Sequence, residues 1–222
     1  MCNKESERVR VMKMNKQVVY NHYREYELPN REYYCVWIDK LLKLLDTSQS
    51  AMYKPNVLHL KVKLLDGVQL KLVTDRLTKS ITAKSKSKPM FLAKREIDNS
   101  QLGEHYHLAI VIEQQHIKSP CFLLDSVMQQ CKANELVKDY WVCKPNVGDW
   151  ITPNVLNSLP VNEYKATAVY WLSYLCKVDT AMQGQKSLWL SGVNNRKVIT
   201  KRVHQPCNVV ALTQSYTLNQ PL

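Results

Sequence analysis

The sequence lacks the patterns that would assign it to three common classes of protein. None of its seven cysteines forms a Cys-x-x-Cys pair, so a structural zinc cluster is not expected. No apolar run approaches the roughly 20 residues that a membrane-spanning helix needs. A Walker A motif is also absent, which argues against a fused helicase.

The cysteines and the first residues also indicate a compartment. The cysteine count is odd, and residues 1–8 are charged and lack the apolar stretch of a secretion signal. We therefore expect reduced, mostly buried thiols in a cytoplasm, and no membrane partner.

What the chain does contain is a large excess of basic residues. Its 31 Lys and Arg against 19 Asp and Glu give a net charge of +12, which predicts a polyanionic partner, nucleic acid first. A merely soluble basic surface would give the same count. Apolar residues make up 45% of the 222 positions, so the chain can bury a core and is not disordered overall.

The hydrophobic pattern predicts strands that are separated by helices. Strands are expected at 57–64, 90–97, 105–113, 139–144 and 187–190, and helices at 32–46, 68–79, 120–132 and 163–177. The strands at 90–97 and 105–113 are joined by a short turn and should form a hairpin. The expected fold class is α+β, with a central, mostly antiparallel sheet and helices on one face.

Two histidines in the third strand carry the first functional signal. The segment 103–112 reads Gly-Glu-His-Tyr-His-Leu-Ala-Ile-Val-Ile, and side chains at i and i+2 of a strand share a face, so His105 and His107 can hold one divalent metal. Glu96, near the end of the preceding strand, is the expected third ligand, because Mg²⁺ or Mn²⁺ prefers oxygen as well as nitrogen. Glu104 should face the opposite side. The alternatives are core histidines and a solvated glutamate at a strand end.

Tyrosine and lysine on the last predicted helix carry the second signal. In the segment 163–177, Tyr170 and Tyr174 are four residues apart and Lys177 follows three residues later, so the three side chains share one helix face. A phenol with a pKa of about 10 is a weak nucleophile at neutral pH. A metal and an ammonium beside it would stabilise the developing negative charge. The alternatives are a core-facing role for the tyrosines and a helix-dipole role for the lysine.

Basic residues near the hairpin and after the last strand are candidates for contacts with a DNA backbone. One cluster begins in a predicted loop at 84–89, and another lies in the segment 194–202. The predicted contacts are Lys84, Lys86, Lys88, Lys94, Arg95, Arg196 and Lys197. The alternative for the loop is a solvated linker.

In this order and spacing, the motifs resemble those of the HUH endonucleases, the rolling-circle replication initiators of small phages and plasmids. The stretch from Glu96 to Ile112 is similar to the metal-binding hairpin of that family. The stretch from Tyr174 to Asp179, with the basic polar segment after it, looks most like the inovirus-type (filamentous phage) replication proteins, which also occur in prophages and genomic islands. The resemblance covers residues 57–200.

The resemblance implies a role for each site residue. His105, His107 and Glu96 match the metal ligands, Tyr174 matches the nucleophile, and Lys177 matches the lysine that follows it. Tyr170 is similar to the first tyrosine of the two-tyrosine initiators, but position 173 is Ser, so Tyr170 lacks a lysine three residues on.

The resemblance also implies a fold and a division of the chain. The sheet would be of the HUH or RRM-like type, with the catalytic tyrosine on a helix. Residues 1–50 would form an N-terminal extension with a helix, residues 51–205 the HUH-type endonuclease domain, and residues 206–222 a C-terminal tail.

The implied function is initiation of rolling-circle replication. The protein would nick and rejoin single-stranded DNA at a replication origin, with a divalent metal (Mg or Mn) and a 5′-phosphotyrosine intermediate. Its other partners would be a host helicase and polymerase in the cytoplasm of a bacterial host. The alternatives are a plasmid mobilisation relaxase or a single-tyrosine transposase of the same superfamily, and a non-catalytic basic DNA-binding protein.

Overall fold

A computed structural model describes residues 11–13, 32–98, 103–145, 158–177 and 188–191. The predicted DNA contacts Arg196 and Lys197, and the predicted tail at 206–222, lie outside these residues. Among the residues that the structure describes, no helix is both long and apolar enough to cross a membrane.

The described residues form strands and helices in the predicted alternation, together with three short strands that were not predicted, at 11–13, 32–34 and 159–160. In chain order they are β1 (Val11–Lys13), β2 (Glu32–Tyr34), α1 (Cys35–Ala51), β3 (Pro55–Leu64), α2 (Leu70–Ser85), β4 (Met90–Asp98), β5 (Gly103–Glu113), α3 (Pro120–Ala133), β6 (Val137–Cys143), β7 (Leu159–Pro160), α4 (Val161–Leu172) and β8 (Leu188–Ser191). A single 3-10 turn, Ser173–Cys176, follows α4. The predicted α+β class is confirmed.

The main sheet is antiparallel, in the order β6-β3-β5-β4-β8, and the short β7 pairs with β3 beside β6. The predicted hairpin is formed by β4 and β5. Within it, Glu96 lies directly opposite His105, and Lys94 lies directly opposite His107. Because directly opposed residues of neighbouring strands project to the same face, these four side chains share one face of the sheet.

Helices cover both faces of the sheet, so the prediction of helices on one face is wrong. On the face that carries the predicted metal ligands, α1 and α4 pack against Leu92 and Ala109. On the other face, α2 and α3 pack against Leu60 and Ile110. The reason lies in the central strand, where positions 108–112 are all apolar and all buried, so that both faces need cover.

The helix predicted in the N-terminal region is present and belongs to this core. It begins at Cys35 rather than at position 32, because β2 pairs with β1 just before it. Its buried residues Ile38, Leu41 and Leu45 lie in the same apolar cluster as Leu92 of β4. The helix therefore packs on the face of the sheet that carries the candidate site.

The second helix extends beyond its predicted end at residue 79. Its buried side chains, Val73, Leu77, Ile81 and Ser85, recur every four residues up to its last position. Lys86 then adopts a left-handed conformation (φ 62°), and its N–H donates to the carbonyl of Thr82. Lys84 is therefore in the last turn of α2 and not in a loop.

Candidate active site

The side chains of Glu96, His105 and His107 converge near the turn end of the β4–β5 hairpin. Their ligand atoms lie within 4.8 Å of one another, and all three residues are buried. Nε2 of His107 lies 3.2 Å from Nε2 of His105 and 3.2 Å from Oε2 of Glu96, and the His105 nitrogen lies 3.6 Å from the same oxygen. As predicted, Glu104 is not part of this group, and it pairs with Arg95.

The orientation of His105 is set by a backbone carbonyl. Its Nδ1 lies 2.9 Å from the carbonyl oxygen of Gly103. A carbonyl can only accept, so Nδ1 carries the proton and donates it, and the lone pair of Nε2 faces the other two residues. Gly103 has φ +60°, a left-handed conformation that a residue without Cβ adopts at little cost.

The orientation of His107 depends on a third histidine, His59, which the sequence analysis did not identify. Nε2 of His59 lies 2.9 Å from Nδ1 of His107. His59 is buried on β3, and the ring of Trp171 meets its ring edge-on, with 5.8 Å between their centroids. The only sequence signal was a histidine flanked by the apolar residues Val57, Leu58 and Leu60 of β3.

Burial and neighbouring charges keep His59 neutral. Its burial, together with the nearby charge of His107, lowers the pKa of His59 from 6.5 to about 3. A neutral His59 can accept a hydrogen bond from Nδ1–H of His107, which leaves the lone pair of Nε2 of His107 facing Glu96. The pKa of His107 is also lowered, mainly by burial.

The carboxylate of Glu96 is ionised although it is buried. Burial alone would raise the pKa of Glu96, but its polar contacts with His105 and His107 and the positive charge of Lys94 hold the pKa far below its usual range. Nζ of Lys94 lies 2.6 Å from Oε1 of Glu96. The second oxygen of the carboxylate, Oε2, is the one that faces the histidines.

This set of ligand atoms fits a divalent cation. Two imidazole nitrogens and one carboxylate oxygen suit the borderline and hard divalent ions, and both histidines can present a lone pair inward. Ligands at right angles around one ion, each about 2.1 Å from it, lie roughly 3 Å apart. The observed separations of 3.2, 3.2 and 3.6 Å are close to that spacing.

Tyr174 lies beside this group. The centroid of its ring is 5.4 Å from that of His107 and 6.4 Å from that of His59. Nζ of Lys177 lies 3.8 Å from the centroid of the Tyr174 ring, in cation–π contact, and Lys177 is buried. The predicted neighbourhood of tyrosine and lysine is therefore observed, next to the predicted metal ligands.

The backbone around Tyr174 differs from the predicted continuous helix. The α-helix ends at Leu172, where the hydroxyl of Ser173 donates to the carbonyl of Tyr170 at 2.7 Å. Such back-bonding competes with regular helix bonds, and the chain tightens here into the 3-10 turn. Residues three apart are nearly eclipsed in that geometry, which suits the stacking of Lys177 on Tyr174.

Tyr170 is half-buried and packs against the apolar cluster beneath α1 and α4. The ring contacts described above, with His107 and His59, belong to Tyr174. The structure thus brings Tyr174 to the histidines, and it packs Tyr170 against the apolar cluster.

The predicted DNA contacts occupy three different environments. Lys84, Lys86 and Lys88 are exposed. They lie at the Met90 end of β4, whereas Glu96 is eight residues beyond Lys88, about 26 Å along an extended strand. Arg95 forms a two-point ion pair with Glu104 at the surface, with distances of 2.5 and 2.8 Å. Lys94 has no exposed surface at all, which does not fit a surface contact with DNA.

Lys61 and Trp141 form a basic and aromatic pair that lies closer to the histidines than Lys84, Lys86 and Lys88 do. Lys61 on β3 is directly opposite His107 on one side and Trp141 of β6 on the other, so the three side chains form a row on one face. Nζ of Lys61 lies 6.0 Å from the centroid of the Trp141 ring. Trp141 is 39% exposed, on the edge strand of the sheet.

Comparisons with known proteins leave the family open. No family model matches the chain, and no curated protein matches it. Among solved structures, it is similar to the catalytic domain of the adeno-associated virus type 5 Rep protein, with a TM-score of 0.26 and 13% sequence identity. That match covers 51% of this chain and 91% of the domain. A similarity of this size does not assign the chain to a family.

Proposed function

We propose that this protein is a metal-dependent nuclease of the HUH type, which cuts and rejoins single-stranded DNA with Tyr174 as the nucleophile. The observation that carries the proposal is the position of Tyr174, whose ring lies 5.4 Å from that of His107 in the buried Glu96–His105–His107 group. A tyrosine that only filled the core would need neither an ammonium on its ring nor three convergent ligand atoms beside it.

In the proposed reaction, the phenolic oxygen of Tyr174 attacks a phosphodiester phosphorus. A bond forms between this oxygen and phosphorus, and the bond to the 3′ oxygen breaks, which leaves a 5′-phosphotyrosine and a free 3′-OH. The phenolic proton is lost from Tyr174 and the released 3′ oxygen gains one, and Lys177 places a positive charge at the ring, where it can stabilise the negative charge that develops in the reaction. The reverse reaction reseals the strand, so the energy of the broken bond is conserved and no nucleotide cofactor is needed.

The Glu96–His105–His107 group would hold the divalent metal, Mg²⁺ or Mn²⁺. When bound there, the metal would polarise the scissile phosphate as a Lewis acid. The remaining contributions come from the chain itself. His59 orients His107, the carbonyl of Gly103 orients His105, and all three histidines are buried.

The row formed by His107, Lys61 and Trp141 supports a single-stranded substrate. A lysine that can contact a phosphate beside an exposed aromatic ring on which a base can stack is a common arrangement in proteins that bind unpaired strands. The two strand spacings from His107 to Trp141 correspond to about 10 Å. The net charge of +12 supports the same class of partner.

The biological role that we propose is initiation of rolling-circle replication, most like that of the inovirus-type proteins. Nicking at an origin would provide a 3′-OH for a host polymerase, with a host helicase to separate the strands. Tyr174 is assigned the first cleavage, and Tyr170 is the candidate for a second strand transfer.

The test is incubation of the protein with a labelled, single-stranded oligonucleotide library of random sequence, with Mn²⁺. We expect a protein–DNA adduct that survives denaturing electrophoresis, requires the metal and disappears in Tyr174→Phe. Sequencing of the captured strands would give the preferred site. Metal-dependent binding or cutting without a covalent adduct would contradict the proposed mechanism.

A further inference from the structure

Lys94 occupies an unusual position between the two halves of the candidate site. It has no exposed surface, although it carries an ammonium group. Its Nζ lies 2.6 Å from Oε1 of Glu96 on the same strand, and it donates a hydrogen bond of 3.1 Å to the carbonyl oxygen of Lys177. The ring of Trp37, from α1, lies 5.5 Å from the same nitrogen.

We propose that Lys94 is a positioning residue that connects the metal-binding carboxylate to the turn that carries Tyr174. This inference rests on the proposed function, because it assigns Lys94 a part in aligning the nucleophile with the metal ligands. It replaces the predicted role of Lys94 as a surface contact with DNA.

The first step of the argument concerns the carboxylate. Glu96 has two oxygens, and the two point to different partners. Oε1 meets the ammonium of Lys94, while Oε2 lies 3.2 Å from His107 and 3.6 Å from His105. Because the ammonium holds Oε1, the side chain of Glu96 cannot rotate freely, and it presents the other oxygen to the histidines.

The second step concerns the turn. The 3-10 turn Ser173–Cys176 ends with an N–H of Lys177 that donates to the carbonyl of Tyr174 over a long 3.3 Å. Lys177 also forms a single β-bridge with Tyr33. The hydrogen bond from Lys94 to the carbonyl of Lys177 therefore adds a charged donor at the end of the turn, on the side away from α4.

The third step concerns the residue type. A lysine ends in a compact ammonium with three donors on a flexible stem, so that one atom can serve acceptors on two different elements. Burying this charge is unfavourable, and an apolar residue of similar volume would avoid that cost. The two acceptors, on β4 and after α4, explain why a charged residue occupies the position.

The test compares Lys94→Met with Leu92→Ala. Leu92 is also fully buried, two residues away on the same face of β4, so its truncation measures the effect of reduced core packing alone. If Lys94→Met alone does not fold, because it leaves Glu96 unpaired, the double variant Lys94→Met/Glu96→Gln removes both charges together. Hydrogen exchange is measured on every folded variant, and the rate of adduct formation only on the variants that keep Glu96.

The first measurement is hydrogen exchange by mass spectrometry, on metal-free protein. We expect amides in the peptide 173–177 to exchange roughly tenfold faster or more in Lys94→Met and in the double variant, as the loss of a charged hydrogen bond implies. Amides of residues 161–169 should keep their exchange rates. Equal rates for 173–177 in the wild type and a folded variant, or the same change in Leu92→Ala, would overturn the proposal.

The second measurement is the single-turnover rate constant of adduct formation at saturating DNA and Mn²⁺. Lys94→Met should lower this rate constant by roughly tenfold or more and leave the affinity for DNA within about twofold, because Lys94 has no surface for DNA to touch. Impaired folding would instead reduce the amount of adduct, as expected for Leu92→Ala. A wild-type rate constant in Lys94→Met would overturn the proposal. If the proposed function is wrong, the wild type itself would form no adduct. The exchange measurement would then still test the role of Lys94.

Discussion

Nε2 of His59 lies 2.9 Å from Nδ1 of His107, so that a histidine on β3 fixes the ring orientation of a predicted metal ligand on β5. The contact between His59 and His107 is diagonal, because the residue directly opposite His59 on β5 is Ala109. We therefore expect His59, which lies outside the proposed metal-binding group, to affect metal affinity.

Replacement of His59 by Ala should therefore weaken metal binding. Loss of a partner that orients a ligand typically costs 10–100-fold in affinity, so we expect a drop of about that size for Mn²⁺. Titration followed by electron paramagnetic resonance of free Mn²⁺ would measure it. His59→Gln, which keeps a hydrogen-bonding side chain, is the matched control and should retain more affinity than His59→Ala. Equal affinity in all three proteins would refute the orienting role.

Replacement of both His105 and His107 by Ala should abolish cleavage of single-stranded DNA. Much of the non-specific affinity for DNA should remain, because that affinity comes from contacts between basic side chains and phosphates. A cleavage assay and a binding titration on the same protein would separate the two effects. Normal cleavage by the double variant in the presence of a chelator would mean that the metal site is wrongly assigned.

The two tyrosines should differ in their effect on the covalent adduct. Tyr174→Phe should eliminate it, whereas Tyr170→Phe should leave the first cleavage largely intact, because the ring of Tyr174 lies 5.4 Å from that of His107 and carries the stacked Lys177. Phe preserves the ring volume, so stability should change by less than about 1.5 kcal/mol in either variant.

Denaturing electrophoresis of a labelled oligonucleotide decides between the tyrosines. An adduct that persists in Tyr174→Phe and disappears in Tyr170→Phe would reverse their assignment. An adduct that persists in the double variant would exclude both residues as the nucleophile.

Neutralisation of Lys84, Lys86 and Lys88 by Gln should weaken DNA binding and flatten its dependence on salt. For single strands, the slope should fall by about 0.7 for each lysine that binds a phosphate in the wild type. The cleavage rate at saturating DNA should not change, because these residues lie near the Met90 end of β4, and Glu96 lies near its other end. Lys71→Gln is a control on α2, the helix that carries Lys84, because Lys71 is already paired with Asp75. An unchanged slope in the triple variant would mean that the cluster is only a solvated surface.

The sequence was sufficient to predict the elements that bring the metal ligands together. The i, i+2 spacing predicts that His105 and His107 share a face, and the short turn before them predicts that the two strands form a hairpin. The structure adds the register, with Glu96 opposite His105. The fold class was predicted for the same reason, since alternation and apolar runs are local properties of the chain.

What could not be predicted depends on contacts between distant segments. His59 is 48 residues from His107, and Lys94 is 83 residues from Lys177, so their hydrogen bonds have no local signature. A lysine between two strand residues is ordinarily expected at the surface. The 3-10 turn was missed because one serine hydroxyl that bonds to a backbone carbonyl changes the helix end without changing its periodicity. The roles of the site residues remain predictions.

The bridge between Tyr33 and Lys177 joins β2, just before α1, to the residue that follows the 3-10 turn of Tyr174. Tyr33 is fully buried, and α1, which follows it, covers the face of the sheet that carries the metal ligands. A protein that began at residue 52 would thus lose α1, which forms one wall of the candidate site, together with the residues before it. A ligand or modification that displaced residues 32–51 would break the bridge from Tyr33 to Lys177 and would thereby disturb the turn that carries Tyr174.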